Sequence, residues 1–234
     1  MIKDFDLLQR ANNDYTTIDL EHAEELAYRE LIDSIRYISL GDECGVMGNI
    51  ANIITYKGRF YIQEEQFDRV FIYDDTGRCL KKIDNKERGP GEYLRIESID
   101  INTEKEELML VDGMSDKLFF YDLDGNFKSI HSIRYFQTEN TLCLRDSVFL
   151  HISAPSQNFG NEGLYGYALV LSKGNENFLK GYRYLPLQVG YKGGGQIFKG
   201  YERSCYHPIY SDTIYQILSD TTYGPIFYFK IKNS

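Results

Sequence analysis

The sequence contains no tryptophan, no closely spaced cysteine pair, no surplus of positive charge and no long apolar run. With 35 acidic residues against 26 basic ones the net charge is −9, so attraction to nucleic-acid phosphates or to anionic lipid is disfavoured. DNA, RNA and membrane surfaces drop out as partners. Cys44, Cys79, Cys143 and Cys205 lie far apart. No zinc or redox motif runs through them, and they read as buried thiols. Nothing is long and apolar enough for a membrane span, and the opening MIKDFDLLQRANND lacks the apolar core of an export signal. The chain as given reads as soluble.

Against these absences stand 20 tyrosines and 14 phenylalanines in 234 residues, a composition that suits strands better than a helical bundle. The chain also repeats itself. FYIQEEQFDRVFIYDDTGRCL, from Phe60, matches LMLVDGMSDKLFFYDLDGNFK, from Leu108, at an offset of 48 residues. Asp68 meets Asp116, Phe71 meets Phe119, Tyr73-Asp74 meets Tyr121-Asp122, and Gly77 meets Gly125. A fixed period of this length is the mark of repeat architectures whose blades hold four strands.

Within the second unit, strands are expected over 98–102, 108–112, 118–122 and 127–130, with Gly125 supplying the positive φ of a tight hairpin. The third strands, VFIY and LFFY, are apolar on both faces. Both faces must be covered, which favours sheets stacked around an axis over a sandwich with one wet side. DSVFLHI with YGYALVLSKGNENFL supplies a third unit and CYHPIYSDTIYQI a fourth. The expected fold is all-β, a propeller-like array of about four four-stranded antiparallel blades, incomplete as a ring. Residues 1–33 are expected to form an N-terminal arm with a short helix over 19–32, and 34–234 the partial propeller, with SIRYISL at 34–40 as a strand that leads into the first blade or pairs with a last one. The terminal IFYFKIKN reads as a strand with an open edge, and open blade edges invite self-association.

The unit D-x-(V/L)-F-x-Y-D-x-x-G resembles the NHL-type repeat of six-bladed, TolB-like propellers. ERGPGEY (87–93), IDSIRYISL and YSDTIYQI are closer still to a family of bacterial cell-envelope propellers. The resemblance implies a rigid scaffold in the periplasm or cell envelope. It carries over no catalytic residues.

ERGPGEY joins the outer strand of one blade to the inner strand of the next. Its proline and glycines favour a sharp corner over a phosphate cradle, with Arg88 and Glu92 pairing across the turn and standing as candidate ligand contacts. Asp68 and Asp116 recur in the loops between second and third strands. As carboxylates they are candidate Ca²⁺ ligands, and as repeated turn residues they read better as caps of their own turns. Asn52 and Asp100 are equivalent under the repeat and are placed on inner strands facing the channel, where carboxylate and amide oxygens could hold a metal. No nucleophile motif is present, and the histidines read as incidental. The long loop of 153–166 puts Asn158, Phe159 and Tyr165 forward as ligand contacts. The leading function is a non-catalytic binding or scaffold module for a protein or glycan ligand, without a cofactor. The alternative is a metal-dependent hydrolase or lactonase using the channel.

Overall fold

The computed structural model describes residues 9–11, 14–22, 30, 32–86, 92–133, 138–145, 147–153, 165–174, 177–181, 195–199, 203–209, 211–218 and 222–230. Two short strands open the chain, β1 (Gln9–Arg10) and β2 (Thr16–Asp19). Four antiparallel sheets follow. The first blade holds β3 (Ile50–Tyr56), β4 (Arg59–Glu64), β5 (Arg69–Asp74) and β6 (Cys79–Ile83); the second holds β7 (Ser98–Asn102), β8 (Glu107–Asp112), β9 (Lys117–Asp122) and β10 (Phe127–Ser132). The third holds β11 (Asn140–Arg145), β12 (Val148–Ile152), β13 (Leu169–Lys173) and β14 (Asn177–Gly181), and the fourth β15 (Gln196–Lys199), β16 (Ser204–His207), β17 (Thr213–Ile217) and β18 (Thr222–Lys230). Inner strands neighbour one another in the order β3, β7, β11, β15. The result is an unclosed, propeller-like array of four blades.

The repeat seen in the sequence is a repeat of turn chemistry. Asp74 Oδ1 accepts from the backbone N–H of Thr76 and Arg78, each at 3.0 Å, and Asp122 Oδ1 does the same for Asp124 at 3.0 Å and Asn126 at 2.8 Å. Gly77 and Gly125 follow at φ of 88° and 81°, angles that residues with a Cβ resist. One turn earlier, Asp68 and Asp116 sit in the left-handed region at φ 55° and 53°, which aspartate tolerates better than most residues. Glu64 and Asp112, again 48 apart, accept from the N–H groups of their own turns. Asp74, Asp122, Glu64 and Asp112 are therefore turn caps, whereas Asp68 and Asp116 recur for their left-handed backbone, and the Asp68 carboxylate accepts from the Ile96 N–H of the next corner instead of its own turn.

Blades pack face to face. Tyr61, Val70 and Ile72 of the first interdigitate with Ile99, Leu110, Phe119 and Tyr121 of the second. Met109 and Phe120 then meet Cys143 and Phe149, and Leu150 and Leu171 of the third blade meet Ile197 and Tyr206 of the fourth. Tyr93, the last residue of ERGPGEY, is fully buried between the first two blades, edge-on to Phe119 with ring centroids 6.0 Å apart. Its hydroxyl accepts from Asn85 N–H at 3.1 Å and donates to the Asp68 carbonyl at 2.9 Å. The corner is thus held by an aromatic wedge; residues 87–91 of the motif lie outside the described residues.

At the two ends of the array, four expectations are corrected or left open. The C-terminal strand is not an open edge: β2 pairs with β18 in parallel from Thr16↔Phe227 to Lys230↔Asp19, and β1 joins it at Thr222 and Tyr223. SIRYISL is not a strand of any sheet. Instead, residues 34–49 cross the outer face of the first blade, because that face has no neighbouring sheet and must still be covered. Nor are all cysteines free thiols: Cys44 in that crossing segment is disulfide-bonded to Cys79 on β6 across 35 residues, a closure worth about 4 kcal/mol by chain entropy. Cys143 and Cys205 are free and buried. Most of the expected helix over 19–32 lies outside the described residues.

If the Tyr93 wedge holds the first two blades together, Tyr93→Ala costs about 3–5 kcal/mol through its cavity, and Tyr93→Phe only about 1–2 through lost hydrogen bonds. Urea unfolding distinguishes the two; equal losses would assign the role to the hydroxyl alone.

Candidate functional site: the axial cavity

The inner strands surround a cavity of about 990 Å³, at the upper end of the range for small-ligand sites. β3 lines one side along its length, β7 and β11 form the back, and β15 with Phe198 stands opposite. Much of the lining is uncharged: Asn52, Thr55, Asn140 and Gln196 offer amides and a hydroxyl between apolar residues. Several of the charges present are paired. Lys57 is bonded to Glu106, and Glu97 Oε1 lies 3.3 Å from Arg95 Nε. Burial raises the Glu97 carboxyl above its ordinary value, with Arg95 pulling the other way.

Asp100 does not sit open in the channel. Its Oδ2 accepts from the Cys143 N–H at 2.7 Å and from Lys199 Nζ at 3.2 Å. Lys199 also donates to the carbonyls of Cys143 at 2.6 Å and Ile101 at 3.1 Å. One ammonium thus ties β15 to β7 and β11, satisfying backbone groups that an inner strand leaves without a ladder partner. Burial pushes the Asp100 carboxyl up, and Lys199 opposes this. Ser98, two residues earlier on the same side of β7, accepts from the Thr141 N–H at 3.3 Å.

The other metal candidates do not converge on Asp100. Asp68 is bonded to Lys86 and accepts from the Ile96 N–H at 3.2 Å, knitting the first blade to the next corner. Asp116 lies at its own turn, its carboxyl raised by burial and by Asp112. Asn52 is exposed on β3. Among the described residues the one cluster of three potential metal ligands is Asp19, Glu21 and His22 on the surface, where Lys230 Nζ lies 3.4 Å from Asp19 and 3.5 Å from Glu21.

His151, expected to be incidental, is fully buried in the third blade. Its Nδ1 is 2.9 Å from Thr141 Oγ1 and its Nε2 2.7 Å from Ser172 Oγ. The row of hydroxyl, imidazole and hydroxyl has the partners of a nucleophile site but no access to solvent or to the cavity, so it works as a cross-strand bolt. Burial pushes the ring down to about 3. The Cys143 thiol, likewise buried, is pushed up to about 12 and is inert as a nucleophile. His131 packs on Phe120 at 4.6 Å, and His207 Nε2 is 2.8 Å from the Ser211 carbonyl.

Glu92 and Tyr165 are half-buried, and neither lines the cavity. Arg88, Asn158 and Phe159 lie outside the described residues. Lys199 and the His151 bolt were missed in the sequence: Lys199 stands outside the clear repeat, and Thr141, His151 and Ser172 meet only through strand register. Asp100, placed on an inner strand by its equivalence with Asn52 under the repeat, was the legible trace.

The fold and this channel define a protein of the β-propeller type. Residues 15–234 match the family described as a domain of unknown function, DUF4934, and the chain belongs to it. No curated protein matches the sequence. Among solved structures it is similar to a protein of Bacteroides fragilis described as exported, at 20% identity and a TM-score of 0.78, over 92% of this chain and 60% of that one. The chain therefore spans three fifths of that relative's length. It is also similar to U3-55K, at 9% identity and a TM-score of 0.50, over 76% of this chain and 51% of that one. The WD40 repeats of RRP9 give 9% and 0.49 over the same shares.

Two outcomes test the channel. Lys199→Met strands the Asp100 carboxylate and is expected to cost about 3–5 kcal/mol, most of it recovered in the double variant Lys199→Met/Asp100→Leu; no recovery would show that the ammonium acts mainly on the carbonyls. For His151, the unfolded chain takes up a proton near the ordinary value of 6.5 while the folded chain refuses it down to about 3. Stability therefore falls as pH drops through that window, by about 2 kcal/mol between pH 7 and 5. His151→Gln should remove that part of the slope in urea titrations, and an unchanged slope would contradict it.

Proposed function

We propose that the chain is a non-catalytic binding or scaffold module whose ligand, a protein segment or a glycan, sits in the axial cavity and against the rim. The observation that carries this reading is the division of labour among polar groups. Asp100, Lys199 and Ser98 are spent on holding blades together and His151 and Ser172 on bolting the third blade, while the amides of Asn52, Asn140 and Gln196 and the hydroxyl of Thr55 face open space. A rigid wall of uncharged donors and acceptors between apolar patches fits neutral, hydrogen-bonding ligands. Glu92 and Tyr165, with Arg88, Asn158 and Phe159, complete the proposed contact surface on the rim. The repeated D-x-(V/L)-F-x-Y-D motif supports kinship with the six-bladed NHL and TolB-like propellers. The Cys44–Cys79 disulfide and the similarity to an exported protein support a place in the cell envelope. Exposed apolar side chains such as Tyr37, 90% exposed, and Val46, 85% exposed, support self-association.

Calorimetric titration with neutral oligosaccharides and with envelope-derived peptides tests the site. Binding should weaken at least tenfold, about 1.4 kcal/mol, in Asn52→Ala and in Gln196→Ala. Binding that ignores both substitutions would place the ligand elsewhere, and turnover of any probe would overturn the non-catalytic reading.

A further inference from the structure

The outer face of the first blade is as apolar as an interior. Ile62, Phe71 and Tyr73 are at most 2% exposed there, yet among the described residues no sheet lies against them. Their cover is a stretch of extended chain, residues 34–49, which contributes Cys44 and Met47 to the same cluster. Its hold is a row of single contacts instead of a ladder. Gly41 N–H donates to the Gly77 carbonyl at 2.7 Å, Arg36 Nη2 to the Asp75 carbonyl at 2.9 Å, Tyr73 Oη to the Gly41 carbonyl at 3.3 Å, and Glu65 N–H to the Asn49 carbonyl at 2.9 Å. The fit is close: a Cβ at Gly77 would stand 2.1 Å from the Ser39 carbonyl oxygen. Little of the segment itself is buried, with Ile35 65%, Tyr37 90% and Val46 85% exposed. Its one covalent fastening is the Cys44–Cys79 disulfide.

We infer that residues 34–49 form a redox-closed strap, which takes the place of a neighbouring blade on the first sheet and seals it only where the Cys44–Cys79 bond can form. Closure is a thiol–disulfide exchange. The two protein thiols give up two hydrogens to a disulfide-bearing oxidant, whose S–S bond is cleaved to two thiols as the Cys44–Cys79 bond forms; a dithiol reductant runs the exchange backwards. In a reducing compartment the strap rests on its few hydrogen bonds and lifts, exposing Ile62, Phe71 and Tyr73. Upstream of the strap, β2 stays zipped to β18, so a released strap remains tethered and can close again. The other two cysteines do not interfere, since Cys143 and Cys205 are buried and burial raises both thiols.

The test is hydrogen exchange on the full chain, oxidised and after dithiothreitol, with maleimide labelling to count released thiols. On reduction the Gly41 and Glu65 amides should exchange roughly tenfold faster or more, with a gain in binding of an apolar dye, while the amides of β8 and β9 keep their protection. Reoxidation by oxidised glutathione should restore the original pattern. Cys44→Ser should behave as the reduced protein. Unchanged exchange at Gly41 and Glu65 in the fully reduced chain would overturn the inference, and so would acceleration of all four blades together, which would mean that the bond supports the whole fold and not a strap.

Discussion

A sheet that is apolar on both faces cannot stand alone, and everything in this molecule follows from that constraint. VFIY on β5 and LFFY on β9 bury alternate side chains to opposite sides, so each blade needs a cover on both. Between blades the cover is the next sheet. At the first blade it is an extended segment fixed by a disulfide, while at the fourth β2 and β1 close the open edge of β18 by pairing with it. The array is stable to the extent that its ends are dressed, since each buried Å² of apolar surface is worth about 25 cal/mol.

The second demand comes from the axis. Inner strands are paired on one side only, and the backbone groups on the other side must find partners or water. Asp100, Ser98 and Lys199 answer for β7, β11 and β15. β3, by contrast, turns a largely exposed, polar-and-apolar row toward the cavity. The same geometry that makes the channel a structural problem on one side leaves it a binding surface on the other.

The blades were legible because their signal is local and repeated. Aspartate at the end of one strand, glycine three residues on, and an aromatic pair before them recur at 48 residues, and the strands of the second blade fell within a residue or two of expectation. The channel clamp was half legible: Asp100 was placed on the axis, but its partner Lys199 is 99 residues away, where the repeat has drifted. The His151 bolt depends on three strands lying in register, which no spacing in the chain displays. The strap was misread for a different reason. SIRYISL has the alternation of a strand, and what decides between strand and cover is whether a neighbour offers an edge or a face, a matter of tertiary placement.

The parallel seam between β2 and β18 has a consequence in time. Lys230 reaches back to Asp19 across 211 positions, so a segment made before the four blades must wait for the final strand of the fourth. While the ribosome is still adding the fourth blade, Thr16 to Asp19 have no edge to join, and the seam can form only once Phe227 has emerged. The residues that finish the structure are therefore synthesised before the blade that receives them.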